Sequence, residues 1–216
     1  MAERTLYNLK GQKRAAVSFA IMAMAAFAMQ IERMLLGKSV YEFAYMALLL
    51  LCWLAALAGT RGILKYKLEY GRAYRASMVA IVCVLAAMLL AYRNWRAGGG
   101  DQTFIQFDVQ FFMYTQMMAM MYCYAQLLKG SAEVLKRTRD KKKQASCRRR
   151  WIPCVTIIIL SLFAVQIANL FSGDLVYIIA GSAAVIGLVA HFAMITLILS
   201  VYNVMDGRPT GQRRQQ

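Results

Sequence analysis

Long runs of apolar residues alternate with short polar segments along the whole 216-residue chain. Each run is close to the roughly 20 residues that an α-helix needs to cross about 30 Å of hydrocarbon. Period-two alternation is missing and Ala, Leu and Met dominate, so a membrane β-barrel is disfavoured. The pattern predicts an all-α fold, a polytopic transmembrane helix bundle in a single domain. Six spans are predicted, at about 15–36, 40–60, 76–92, 104–128, 152–171 and 176–203.

The composition supports a membrane protein. The chain is 60% hydrophobic and 17% charged, whereas soluble domains average about 25% charged residues. A net charge of +16 would indicate nucleic-acid binding on a soluble surface. Here the basic residues fall between the apolar runs, and the densest basic run, residues 136–150, lacks interleaved aromatic residues, so no nucleic-acid partner is predicted. The five cysteines form neither a disulfide framework nor a zinc motif.

Lysine and arginine are distributed unevenly between alternate connections. Residues 1–14, 61–75, 129–150 and 206–216 contain 22 of the 26, and the other connections contain only Arg33, Lys38, Arg93 and Arg96. Cytoplasmic loops of membrane proteins are enriched in these residues. The chain is therefore predicted to be a multi-pass protein of a bacterial inner membrane, with both termini and the basic loop 129–151 in the cytoplasm (N-in/C-in).

Three segments carry further local signals. Ala26-Phe27-Ala28 is typical of a signal-peptide cleavage site, but the apolar run continues to Leu36, which favours an uncleaved anchor. Residues 61–75 mix tyrosine with basic residues, which predicts a helix lying at the membrane surface. Small residues in the third span form a stripe that predicts close helix packing, at Ala76, Ala80, Cys83, Ala87 and Ala91.

Polar side chains concentrate in the outer halves of the last three spans. Asp108 is the most costly of them, because a charge at a helix centre disfavours insertion by about 2.5–3.5 kcal/mol. It either binds a ligand or pairs with Arg93 or Arg96. The predicted cluster comprises Asp108, Gln106, Gln110, Gln166, Asn169 and Ser182. Such groups need partners inside the bundle, so they predict either a polar substrate-binding pocket or interhelical hydrogen bonds.

Two further features are candidate ligand- or metal-binding sites. His191, the only histidine, is predicted to be hydrogen-bonded within the bundle, with proton coupling or substrate binding as the alternative. Met113, Met117 and Met120 share one helix face, and thioethers select copper(I). Methionine is also an ordinary packing residue and is abundant elsewhere in this chain. The sequence therefore predicts no metal site and no cofactor.

The basic run between the fourth and fifth predicted spans is above all a determinant of membrane topology. It is also a candidate contact for anionic lipid headgroups or for a cytoplasmic or membrane protein subunit. Its predicted contact residues are Lys136, Arg137, Lys141, Lys142, Lys143, Arg148, Arg149 and Arg150.

The sequence contains no nucleophile–base pair or paired carboxylates, so it does not predict an enzyme. In architecture it resembles the six-helix substrate-binding components of energy-coupling-factor vitamin transporters, without matching a vitamin-binding motif. The resemblance implies that Ala16, Ala20 and Ala23 of the first span face a partner subunit. We expect a small transporter or its membrane-embedded substrate-binding subunit. The alternative is a non-transporting scaffold or accessory protein that docks a partner or anionic lipid through its basic loop.

Overall fold

The structure, a computed structural model, describes residues 8–36, 42–96, 102–136, 141–168 and 174–206. Within these ranges the protein is all-helical and has no strand, which confirms the predicted fold class. The helices are α1 (Lys10–Leu36), α2 (Glu42–Ile63), α3 (Leu68–Arg96), α4 (Gln102–Leu135), α5 (Lys141–Arg149), α6 (Trp151–Ala168) and α7 (Asp174–Met205).

Among the described residues, four stretches are long and apolar enough to cross a membrane: Lys10–Glu32, Glu42–Tyr66, Leu68–Arg96 and Tyr177–Met205. They lie in α1, α2, α3 and α7. The described part of α4 carries Gln110, Gln116 and Gln126, which lower its mean hydropathy. Helix α6 is only 18 residues long. The membrane character of the protein thus rests on four helices.

Each of the long helices packs against its neighbour in sequence, and α1 also packs against α7. The most extensive contact joins α3 to α4. It fits the predicted small-residue stripe, because Ala76, Ala80, Cys83 and Ala87 are all buried on α3. Ala91 is half-buried.

An aromatic cluster connects four helices in the core. Phe19 of α1 lies edge-on to Trp53 of α2 and to Tyr124 of α4, with ring centroids 5.6 and 5.0 Å apart. The ring of Tyr124 lies 5.7 Å from that of His191 on α7. Edge-to-face aromatic pairs contribute about 0.5–1.5 kcal/mol beyond the area they bury. The cluster therefore fixes α1, α2, α4 and α7 around one point.

A second set of contacts joins the two ends of the described chain. The Leu9 amide donates to Oδ1 of Asp206 at 2.8 Å, just before α1 begins and just after α7 ends. Gln12 is fully buried and donates to Ser131 Oγ (2.9 Å) and to the Ile198 carbonyl (3.2 Å). These contacts place the start of α1, the end of α7 and the last turns of α4 together. We call this the basic end of the bundle, because Lys10, Lys13 and the α5 cations belong to it.

The first helix begins at Lys10, ahead of the predicted span 15–36, because the buried Gln12 and the Leu9–Asp206 contact extend it into the basic segment. Residues 61–75 do not form a separate surface helix. Instead α2 continues to Ile63, a 3-10 turn covers Leu64–Tyr66, and α3 starts at Leu68.

Candidate ligand-binding cavity

A cavity of about 200 Å³ lies between α1, α2, α4, α6 and α7. It occupies the half of the bundle away from the basic end, since its wall includes Gln30 late in α1 and Glu42 at the start of α2. The wall is formed by Met22, Ala23, Ala26, Phe27, Met29, Gln30, Glu42, Met46, Leu49, Val109, Gln110, Met113, Tyr114, Gln116, Met117, Met120, Ile158, Ser161, Leu162, Val165, Ala184, Gly187, Leu188 and His191. A mostly apolar wall with a few convergent polar groups is typical of a small-molecule site.

The polar part of the wall consists mainly of amides and one carboxylate. Gln110 and Gln116 come from α4, and Gln116 is almost completely buried whereas Gln110 is exposed. Gln30 comes from α1 and Glu42 from the first turn of α2. A carboxylate is favoured at that position because the helix N-terminus carries a partial positive charge. The cavity therefore offers hydrogen-bond donors and acceptors together with one acidic group.

His191 joins the cavity wall to the aromatic cluster. Its Nδ1 lies 3.3 Å from the hydroxyl oxygen of Tyr124, and both side chains are buried. His191 thus has a hydrogen bond within the bundle, as expected from the sequence, and lines the cavity as well.

A close contact between α6 and α7 limits the cavity on its other side. A Cβ atom at Gly187 would overlap Ser161 Oγ, so only glycine allows this approach. Ser161 in turn donates to the Ile158 carbonyl of its own helix at 2.8 Å. Both residues line the cavity, so its shape depends on the missing side chain at Gly187.

The structure brings Gln110 and His191 together at this cavity, as the predicted pocket requires. Ser182 does not belong to it, because its side chain is exposed on α7. The remaining predicted pocket residues stay predictions, because the side chains of Gln106, Asp108 and Gln166 and the whole of Asn169 lie outside the described part of the chain.

Sequence reasoning missed Gln30, Glu42 and Gln116 as wall residues. Glu42 carried the same signal as Asp108, a carboxylate near the end of a predicted span, and could have been found by it. The sequence places Gln116, a polar residue, within the predicted fourth span. Its orientation toward the cavity depends on how α4 is rotated against α1 and α2, which periodicity alone does not fix.

The basic run forms a helix at the other end of the bundle. Cys147 is buried on one side of α5. Arg148 donates a hydrogen bond to Oε1 of Glu133 on α4 at 3.0 Å. Hydrogen bonds from Lys136 and then from Arg148 lower the pKa of Glu133 below its usual range, so it is ionised at neutral pH. Lys143 of α5 donates from Nζ to the Ser200 carbonyl oxygen of α7 at 3.5 Å. The run is therefore a helix attached to both α4 and α7.

A groove separates α5 from α6 and α7. Its rim carries Lys142, Lys143 and Arg150, and its wall is formed by Ser146, Cys154, Ala193, Met194, Thr196, Leu197 and Ser200. Lys141, Arg148 and Arg149 are exposed on α5, and Lys136 is exposed at the end of α4. Arg137 lies outside the described residues.

No protein family, curated protein or solved structure matches the chain. The likeness to energy-coupling-factor components therefore rests on architecture alone. Ala16 and Ala23 do not support it, because both are buried against helices of the same chain. They belong to the interior of the bundle, and Ala20 is half-buried and packs on the same core.

Proposed function

We propose that this chain is a non-enzymatic six-span membrane protein that binds a small solute in the cavity between α1, α2, α4, α6 and α7. It acts as a small transporter or as the membrane-embedded substrate-binding subunit of one. The observation that carries the proposal is that Gln110, Gln116, Glu42 and His191 line one cavity whose wall is otherwise mostly apolar. Gln116 and His191 are buried, and buried polar groups are costly in a membrane and are usually functional.

Six spans require α4 and α6 to cross the membrane with the other four helices. Both helices expose large apolar side chains, namely Phe111, Met118, Leu160 and Phe163. Gln116 and Gln126 of α4 are instead buried within the bundle. At 1.5 Å per residue, α6 is about 27 Å long, close to the hydrocarbon thickness.

The orientation follows from charge. Leu9 and Asp206 are hydrogen-bonded, so both ends of the described chain lie on one side of the bundle. The α5 cations lie on that side too, whereas at the other end the cations whose side chains are described are Arg93 and Arg96. An N-in/C-in arrangement in a bacterial inner membrane satisfies the positive-inside rule.

The cavity sets an upper limit on the solute. An engineered cavity of about 150 Å³ accommodates benzene, so a volume near 200 Å³ suits a compact ligand of comparable size. Larger drug-sized molecules need roughly 300 Å³ or more. The ligand is therefore a small solute or ion.

The second candidate function is a scaffold that docks anionic lipid or a cytoplasmic partner through α5. The groove beside α5 favours it, because three cations line the rim of a partly apolar wall. A phosphate headgroup would contact the cations while an acyl chain follows Ala193 and Leu197. Each basic residue near an anionic surface contributes about 1 kcal/mol.

Native mass spectrometry of the protein purified in mild detergent tests both functions. Ala184→Phe introduces a large side chain into the cavity wall and is expected to abolish retention of the solute. Val185→Phe is the matched control, because Val185 is exposed on the outer surface of α7. The scaffold function instead predicts a retained phospholipid or protein that is lost when Lys142, Lys143 and Arg150 are replaced by glutamine. Equal retention of the solute in Ala184→Phe and wild type would contradict the cavity as its site.

A further inference from the structure

Six methionines from three helices line the cavity. They are Met22 and Met29 of α1, Met46 of α2, and Met113, Met117 and Met120 of α4. Met113, Met117 and Met120 are four and three residues apart, so they lie on one face of α4. Met22, Met46 and Met120 are almost completely buried. Methionine residues of α1, α2 and α4 therefore line the same cavity.

We infer that this cavity binds a soft monovalent metal ion, copper(I) or its analogue silver(I), through methionine thioethers. The inference rests on the proposed ligand-binding role of the cavity and names the class of its ligand. Neutral, polarisable sulfur ligands select copper(I) over hard cations. His191, with Nδ1 held by Tyr124, adds an imidazole that also binds copper.

The ligand set of the wall favours a monovalent ion, because thioethers and imidazole do not neutralise a bound cation and charge is costly in a membrane. Among the described residues, no three His, Cys, Asp or Glu side chains are grouped as they would be to hold a metal ion. Hard divalent ions, which require several oxygen ligands, do not fit this arrangement.

The sequence alone attributed the methionine face of α4 to packing. What the structure adds is the convergence of Met22, Met29 and Met46 on the same cavity. Leucine packs in place of methionine at a cost usually below about 1.5 kcal/mol, but it has no sulfur. Met→Leu substitution therefore separates a packing role from a metal-binding role.

Silver(I) is the probe, because it binds thioethers like copper(I) and is not oxidised in air. Free cysteine thiols bind silver(I) more tightly than thioethers, so the parent protein for the titration is the full chain with its five cysteines replaced by alanine. Titration calorimetry of this cysteine-free parent in detergent is expected to show one bound Ag⁺ ion. Adding Met117→Leu/Met120→Leu should lower the affinity by at least about tenfold, since even outer-shell changes cost 10–100-fold at metal sites. Met118→Leu is the matched control, because Met118 is adjacent in sequence but exposed on the outer surface, and its affinity should equal that of the cysteine-free parent.

X-ray absorption of the copper(I)-loaded cysteine-free protein, prepared without oxygen, should show sulfur neighbours, which can then come only from methionine. Absence of Ag⁺ binding to the cysteine-free parent, or equal affinity in the double variant, overturns the inference. Ala184→Phe separates this failure from failure of the proposed function. An organic solute retained by wild type and by the double variant, but lost in Ala184→Phe, would overturn metal binding and leave the cavity as a solute site.

Discussion

Replacing Gly11 or Gly59 with alanine is expected to destabilise the folded protein. A Cβ atom at Gly11 would overlap the Gly59 carbonyl, and one at Gly59 would lie 2.5 Å from the Gly11 carbonyl oxygen. These obstacles are backbone atoms, so α1 and α2 must move apart. Overpacking of this kind costs about 1–3 kcal/mol. The midpoint of thermal unfolding in detergent should therefore fall by several degrees.

Gly62→Ala provides the control for this prediction. Gly62 lies in α2, as Gly59 does, and a Cβ atom there would meet nothing within 4 Å. Alanine is the better helix former by about 0.5–1 kcal/mol, so Gly62→Ala should leave the midpoint unchanged or raise it. An unchanged midpoint in Gly11→Ala and Gly59→Ala would mean that α1 and α2 do not cross at these glycines.

Gln12→Leu is expected to destabilise the protein by removing hydrogen bonds at the basic end of the bundle. The Gln12 side chain donates to Ser131 Oγ and to the Ile198 carbonyl and accepts from the Tyr70 hydroxyl at 3.3 Å, all in buried surroundings. Leucine has a similar volume but makes none of these bonds. A buried group deprived of its partner costs about 1–3 kcal/mol. Thermal unfolding should show a destabilisation of that order.

The control for Gln12→Leu is Ser18→Ala, also on α1. Ser18 is buried, but its hydroxyl donates only to the Arg14 carbonyl of its own helix, so its loss should have a small effect. Combining Gln12→Leu with Ser131→Ala should give a coupling of about 0.5–3 kcal/mol, as expected for residues in direct contact. Strict additivity of the two changes would show that the Gln12–Ser131 contact does not contribute to stability.

The sequence predicted the features that depend on local pattern. Apolar runs of membrane-crossing length gave the all-α class, and the four- and three-residue spacing of small residues on α3 identified a tightly packed face. His191 could be assigned a hydrogen bond because a buried imidazole in an apolar span needs one. Each of these inferences requires only the composition or the period of a single helix.

Features that depend on how helices cross could not be predicted. The contact of Gly11 with Gly59 and the convergence of Met22, Met46 and Met120 require the rotation of α1, α2 and α4 about their axes. The short basic helix α5 was also missed. Its sequence is strongly charged, and it is held mainly by tertiary contacts, through Cys147 and the Arg148–Glu133 bond.

The central claim is that α4 and α6 cross the membrane and enclose the cavity with the other four helices. Single cysteines introduced at Ser39, Gly99, Thr138, Phe171 and Gln212, in a variant lacking the five native cysteines, report the side of each connection. Each single-cysteine variant is expressed in a bacterial inner membrane. The cells are treated with a membrane-impermeant maleimide before and after permeabilisation.

Six spans predict that positions 39, 99 and 171 react from outside and that positions 138 and 212 react only after permeabilisation. If only α1, α2, α3 and α7 crossed the membrane, position 138 would lie outside together with 99 and 171. Labelling of position 138 in intact cells would therefore contradict the six-helix bundle and the enclosed cavity.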